Sequence, residues 1–178
     1  MAKITVTEAR AELKTIGKRV QKKKQVVMAH LVRLDRIIDP LAEEGGSEAA
    51  VAEARQGIQD LLGRIVEIRA AIQKSNLYTE LTIEGETKTV AEWLTWRKEA
   101  APLAKNLLDD IAVGIDSGDR QLRTVHDQNP DQENQPALVV NVSRKELAEQ
   151  REKMETILGT LDGKLSLLNA TTHIELRD

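Results

Sequence analysis

The stretch that decides the fold is residues 51–94, which read VAEARQGIQDLLGRIVEIRAAIQKSNLYTELTIEGETKTVAEWL. Its first part carries apolar or small residues at helical spacing: Val51, Ala54, Ile58, Leu61, Ile65, Ile68 and Ile72. Steps of three and four residues are typical of a helix that packs along one seam. The pattern breaks at Ser75-Asn76, crosses a short alternating segment around Gly85 and returns to helical spacing at residues 90–94. This order predicts packed helices joined by a small β element.

The same spacing extends over most of the chain. We predict helices over about 5–42, 47–74, 90–115 and 144–169. Capping boxes mark three of the starts: Thr5 with Glu8, Thr89 with Glu92, and Ser143 with Glu146. Pro40 and the Gly45-Gly46 pair should end the first helix, after which Ser47 can cap the second. Pro102 should kink the third helix, and the polar run 116–119 should stop it.

Two β excursions are expected between the helices. Residues 79–89 alternate around Gly85 and predict a hairpin, whereas 120–142 predicts two strands on either side of a polar loop, 127–136. The tail 171–176 looks extended. Short connections favour antiparallel neighbours, so the predicted fold class is mainly α: long antiparallel helical hairpins in a four-helix bundle, forming one elongated domain over 1–178.

The composition narrows the classes of function. The aromatic fraction is 2%, there is no cysteine, and the formal net charge is -3. These values predict a thin aliphatic core, exclude disulfides and thiolate metal sites, and give no overall attraction to nucleic acid. Since no apolar run approaches the ~20 residues of a membrane span, we expect a cytoplasmic protein with no membrane partner, no metal and no cofactor.

Several short motifs resemble the septicolysin-like family of small helical bacterial proteins, whose activity is uncharacterised. The matching residues are Ala11-Glu12-Leu13, residues 72–76, Gly85-Glu86-Thr87, Leu94 with Arg97, and Leu161-Asp162 with Leu165, Asn169 and Leu176. The resemblance covers nearly the whole chain and implies a small helical protein. Lys98 stands where the family tends to have Asp, and Ala170 where it tends to have Trp.

Arg97, with Trp93 and Trp96 beside it, is the most distinctive cluster. A guanidinium on an apolar seam needs either a helical carboxylate or an anionic ligand, and in the second case a tryptophan could stack on a planar ring. Asn76 and Asn169 are predicted just past helix ends. They are interpreted either as C-caps or as amides that line a polar pocket.

Lys23 and His30 interrupt the seam of the first helix. Polar residues at seam positions usually specify register or oligomeric state. The three histidines show no metal-ligand spacing. The basic run at residues 18–24 fits a solvated helix face, with a phosphate-bearing partner as the alternative.

Two functions remain open from the sequence. The first is a non-enzymatic, homo-oligomeric helical scaffold or interaction protein, which the continuous seams favour. The alternative is a ligand-binding protein that sequesters an anionic or nucleotide ligand at a subunit interface, for example a phage-encoded immune antagonist, with Arg97, Trp93, Trp96, Asn76 and Asn169 around the pocket. An enzyme ranks last, because no nucleophile elbow, P-loop or dinucleotide fingerprint occurs.

Overall fold

The chain is mainly helical, as predicted, in a computed structural model that describes residues 2–128 and 136–176. The elements are β1 Ala2–Thr5, α1 Val6–His30, a 3₁₀ turn Ala42–Glu44, α2 Gly46–Tyr78, β2 Glu80–Ile83, β3 Glu86–Thr89, α3 Val90–Thr95, a π turn Trp96–Ala100, α4 Ala101–Gln128, α5 Arg144–Thr171 and β4 His173–Leu176. They divide into two compact units. The first holds the chain up to Tyr78 and from Ser166 onward, and the second holds Thr79–Leu165.

The first unit is built on an antiparallel pair, α1 and α2. Glu12 of α1 accepts a hydrogen bond from Arg64 of α2, and farther along α1 the Lys23 side chain crosses Gly57. As the residue number rises along α1, from Glu12 to Lys23, that of the contacted residue on α2 falls, from Arg64 to Gly57. This order confirms the predicted antiparallel hairpin. The buried cluster of the first unit combines residues of this hairpin with two residues of β4: Val6, Ala9, Ile16, Ile68, Ile174 and Leu176.

A two-stranded sheet closes this unit. Strand β1 pairs antiparallel with β4, in a register that places Ile4 opposite Ile174. The amide of Val6 also donates to the carbonyl of Thr172 at 3.0 Å. The extended tail was predicted, but β1 was missed because four residues are too few to show an alternating pattern.

Helix α1 ends at His30, so the predicted extension to residue 42 is wrong. Pro40 removes one backbone donor and disfavours helical geometry at Asp39, which prevents a helix from reaching residue 42. The Asp39 carboxylate instead folds back onto the start of α2. Gly45 and Gly46 adopt positive φ angles of 95° and 88° and form the turn that leads into α2. Residues 31–41 form an irregular segment that exposes large apolar side chains: Leu31, Val32, Leu34, Ile37 and Ile38.

Asp39 caps α2 from outside the helix. Its carboxylate accepts from the Ser47 amide at 2.8 Å, the Ser47 hydroxyl at 2.5 Å and the Leu41 amide at 2.9 Å. Ser47 was predicted to be the cap, but it is buried and acts as the donor. These hydrogen bonds, with Ser47 the main contributor, lower the pKa of Asp39 to about 2.

The second unit begins with the predicted β-hairpin. Strands β2 and β3 pair antiparallel, with Ile83 opposite Glu86. The two loop residues between them, Glu84 and Gly85, have φ angles of 49° and 79°. Positive φ at both positions is the signature of a type I′ turn, whose twist matches that of the strands.

The helix after the hairpin contains a π turn in place of a simple kink. Thr89 forms the predicted capping box with Glu92, and α3 runs to Thr95. Over Trp96–Ala100 the backbone widens, and the Ala101 amide donates to the Trp96 carbonyl. Pro102 has no N–H to donate and would clash with a carbonyl four residues back, so a π turn directly before it relieves both problems.

Helix α4 continues to Gln128, so the predicted stop at 116–119 and the predicted strands within 120–142 are wrong for the described residues. Gly118 does not end the helix. A Cβ there would lie 3.0 Å from the Leu138 side chain, so the glycine makes room for that residue. The segment 136–143 is irregular. Residues 129–135 of the predicted loop lie outside the described residues.

Helix α5 covers the predicted range and ends at Thr171. The Ser143 hydroxyl caps it by accepting from the Glu146 amide at 3.2 Å. Three ion pairs show that α5 runs antiparallel to the helical segment of Trp96–Gln128: Asp119 with Arg144, Asp109 with Arg151, and Arg97 with Asp162.

The two glycines within α2 give a test of the α1–α2 contact. A Cβ on Gly63 meets nothing within 4 Å, whereas one on Gly57 would lie 2.7 Å from Cε and Nζ of Lys23. Gly63→Ala should raise the free energy of unfolding by about 1 kcal/mol, because alanine is the better helix former. Gly57→Ala should gain less, since the Lys23 side chain has to move. Urea unfolding followed by circular dichroism measures both.

In a Lys23→Ala background the obstruction is absent, so Gly57→Ala should then gain as much as Gly63→Ala. Equal gains for the two glycine variants in the natural background would contradict the contact between Lys23 and Gly57.

The Asp39 cap predicts an acid-sensitive component of stability. The pKa of Asp39 is lower in the folded chain, about 2, than its ordinary value of 3.8, so the cap stabilises the protein fully above that ordinary value. Its contribution is lost as pH falls from about 4 to 2. Asp39→Asn should flatten this part of the stability profile, measured by urea unfolding at a series of pH values. Asp35→Asn changes an exposed carboxylate nearby and is the matched control; an equal flattening there would contradict the assignment.

Candidate functional site

Trp93 anchors the cluster that the sequence singled out. The capping box at Thr89 starts α3 and places Trp93 one turn later, beneath the hairpin. Its side chain is 1% exposed, and its Nε1–H donates to the Leu81 carbonyl of β2 at 2.8 Å. The indole therefore fills the core and pairs a backbone carbonyl that would otherwise need another partner.

Two neighbours cover the ring of Trp93. The Lys88 ammonium of β3 lies 4.7 Å from the ring centroid, within cation–π range. Trp96 meets the same ring edge-on, with centroids 5.6 Å apart and an interplanar angle of 88°. Because Trp93 is almost completely buried, it has no accessible ring face for a ligand. Trp96 is half-buried and keeps some accessible surface.

Arg97 pairs with a helical carboxylate, the first of the two interpretations. Its Nη1 lies 2.6 Å from an oxygen of Asp162 on α5, and the side chains are 46% and 62% exposed. Exposed pairs of this kind contribute about 0–1 kcal/mol. Asp162 belongs to the sequence motif, but nothing in its spacing identified it as the partner, since the pair joins residues of two separate helices.

The two asparagines lie inside helices, so their interpretation as C-caps is wrong. Asn76 is in α2, which continues to Tyr78, and Asn169 is in α5, which continues to Thr171. Both are half-buried and belong to the first unit. Arg97, Trp93 and Trp96 belong to the second unit. The pocket formed by all five residues therefore stays a prediction.

Lys23 and His30 also lie in the first unit. Lys23 is half-buried, and its side chain crosses Gly57 of α2, so this polar seam residue contacts the partner helix within the hairpin. His30 is the last residue of α1 and lines a polar cleft of about 540 Å³ at the start of α2.

That cleft brings together charged groups that sequence reasoning missed. Arg33 and Arg55 line it with His30, and the Asp39 carboxylate lies among them. Asp39 already accepts from the Ser47 amide at the start of α2, which is where an anionic ligand would otherwise bind. Arg33 lies 3.8 Å from the same carboxylate. Glu48 also lines the cleft, so two carboxylates balance its two arginines, and the Asp39 carboxylate occupies the position at the start of α2 where an external anion would bind.

A second cavity, of about 200 Å³, lies between α4 and α5 and is lined by Arg144 and Arg151. Both arginines are engaged. Arg144 donates twice to Asp119 at 2.8 Å, which holds the pKa of that carboxyl below its usual range, and Arg151 donates to Asp109 at 2.6 Å. Within residues 2–128 and 136–176, no cluster of three or more His, Asp or Glu could hold a metal ion, and no helix is long and apolar enough to cross a bilayer.

Comparison with known proteins supports the fold. No model of a protein family matches the chain, and no curated protein does. One solved structure, a functionally unknown conserved protein from Corynebacterium diphtheriae, matches with a TM-score of 0.56 at 18% identity. The match covers 98% of this chain and 100% of that one. At this identity the likeness shows the fold alone.

The contacts of Trp93 predict a difference between the two tryptophans. Trp93→Phe removes the hydrogen bond to the Leu81 carbonyl and leaves a gap in the core, so it should lower the free energy of unfolding by about 2 kcal/mol. Trp96→Phe, at a half-buried position, should cost less than about 1 kcal/mol. Urea unfolding followed by circular dichroism compares the two. Equal losses in the two variants would contradict the assignment of Trp93 as the buried anchor of the cluster.

Proposed function

We propose that this protein is a non-enzymatic helical interaction protein that assembles with copies of itself. The observation that carries the proposal is a second apolar row on α2. One face of this helix packs against α1. A separate row on the same helix, the outer α2 row, consists of Leu62, Val66, Ala70 and Leu77, and all four are exposed.

The two rows differ in direction around the helix axis. At 3.6 residues per turn the outer α2 row is centred about a third of a turn from Leu61, Ile65 and Ile68, which face the core. The exposed fractions are 49% for Leu62, 68% for Val66 and 59% for Leu77. A helix with two apolar faces leaves one of them in water unless another surface covers it.

A second copy of the chain suits this row on physical grounds. In a two-fold symmetric contact each residue is buried twice, and burying one leucine or valine contributes roughly 1.5–3 kcal/mol. The outer α2 row runs along a helix of 33 residues, so it can pack against the same row of a partner. The proposal retains the four-helix bundle and the septicolysin-like relationship that the sequence predicts.

Ligand binding at Arg97 is the weaker candidate. An anionic ligand would have to displace the Asp162 carboxylate at 2.6 Å, and of the two tryptophans only Trp96 keeps accessible surface for stacking. We therefore retain sequestration of a nucleotide as the alternative and rank it below self-assembly.

The test of self-assembly is the mass of the particle in solution. The chain has a mass of 19.8 kDa, so sedimentation equilibrium should give a multiple of this value for the natural protein. Leu62→Glu with Val66→Glu should shift the particle to the monomer, because carboxylates cannot be buried unpaired in the contact. Circular dichroism checks that the helices remain.

The matched control is Leu103→Glu with Leu107→Glu, an exposed pair at the same spacing on α4, with exposed fractions of 72% and 60%. This variant should keep the natural mass. A natural protein that sediments as a monomer up to its solubility limit would refute the proposal, and dissociation by the α4 variant alone would move the contact to α4.

A further inference from the structure

The outer face of α1 carries an exposed row of cations, the α1 basic row: Arg10, Lys14, Lys18 and Lys22. They follow one another at every fourth residue. Each step therefore rises about 6 Å along the helix, and the whole row extends about 18 Å. The row lies on the side opposite the buried Ile16, so it faces solvent along its length.

The charge around this row is opposite in sign to that of the chain. Residues 10–24 contain seven Lys or Arg and one acidic residue, Glu12, whereas the net charge of the chain is -3. Glu12 is held by Arg64 of α2 at 2.9 Å. The expectation of no attraction to nucleic acid came from the net charge, which averages over this face.

The four cations of the row are not paired with carboxylates of the chain among the described residues. Within residues 2–128 and 136–176, none of the four forms an ion pair, whereas Arg64, Arg97, Arg144 and Arg151 all do. Four like charges at i, i+4 spacing repel one another and destabilise a helix slightly. An external anion would relieve that repulsion.

The residues beside the row indicate which kind of polyanion fits. Over its length the exposed neighbours are small or polar: Thr7, Ala11, Thr15, Gln21 and Gln25. A helix that lies in a bilayer interface needs large apolar side chains between its cations and the lipid, and here the apolar face is already packed against α2. Hydroxyl, amide and cationic groups are the donors that contact phosphodiester oxygens. The face has no aromatic ring for stacking on unpaired bases, which favours a duplex.

We propose that the α1 basic row is a docking surface for the phosphodiester backbone of double-stranded DNA, bound without regard to sequence. The row tracks successive phosphates, and the ammonium and guanidinium groups replace the cations condensed on the duplex. This binding is independent of the outer α2 row and of self-assembly.

The experiment is fluorescence anisotropy with a labelled random-sequence DNA duplex, titrated with the full chain between about 50 and 200 mM salt. The row variant is Lys14→Gln, Lys18→Gln and Lys22→Gln, since glutamine has nearly the helix propensity of lysine. The matched control is Lys74→Gln, Lys98→Gln and Lys153→Gln, which removes the same charge from exposed positions on other helices. Circular dichroism shows that each variant is folded.

If the row makes four phosphate contacts, the affinity of the natural chain should follow salt with a slope near −3.6 on logarithmic axes. The row variant should lose more than tenfold in affinity at low salt, and its slope should fall by about three quarters. The control should lose less than about twofold, since distant exposed charges are screened.

Equal losses in the two variants would overturn the proposal, because binding would then follow net charge. Absence of binding at about 50 mM salt would also overturn it. A parallel titration uses vesicles of phosphatidylserine and phosphatidylcholine. Row-dependent binding to these vesicles without binding to DNA would assign the row to lipid phosphate and refute a nucleic-acid partner.

Discussion

The first unit depends on the aliphatic seam between α1 and α2. Ala9 of α1 is fully buried, as is Ile68 of α2, and small and branched side chains along the seam let the two helices pack without aromatic rings. Strand β4 then covers the seam with Ile174 and Leu176. Because two helices bury only one face each, their outer faces are left to solvent. The exposed face of α1 carries cations, and that of α2 carries an apolar row.

The second unit is stabilised differently. Trp93 is among the largest fully buried side chains, and it joins the helix to the hairpin through one hydrogen bond to a strand carbonyl. Helix α5 is paired with the helical segment before it by three exposed arginine–carboxylate contacts. Exposed ion pairs contribute little energy, so the buried leucines of α5 contribute more of the stability. These are Leu147, Leu161 and Leu165.

The sequence identified only part of the cluster around Arg97. The sequence identified Arg97 and the tryptophans because a cation beside two aromatic residues on an apolar seam is unusual in a chain with an aromatic fraction of 2%. It could not identify Lys88 or Asp162, which reach the cluster from a strand and from another helix. Both asparagines were misplaced because a polar residue near a weakening apolar pattern looks like a helix end. Each helix continues for two residues past its asparagine, to Tyr78 and to Thr171, and helix ends are the least well defined part of such a pattern.

The sequence by itself determined the helical class, the capping boxes at Thr5 and Thr89, the hairpin turn at Gly85 and the antiparallel hairpin of α1 and α2. These depend on interactions between residues close along the chain, or on a periodicity that one helix displays alone. Only the tertiary structure decided that α1 ends at His30, that Gly118 makes room for Leu138, and that the first and last strands pair. The last two depend on contacts between residues far apart in sequence, which leave no local pattern, and the end of α1 lies where the apolar pattern itself continues.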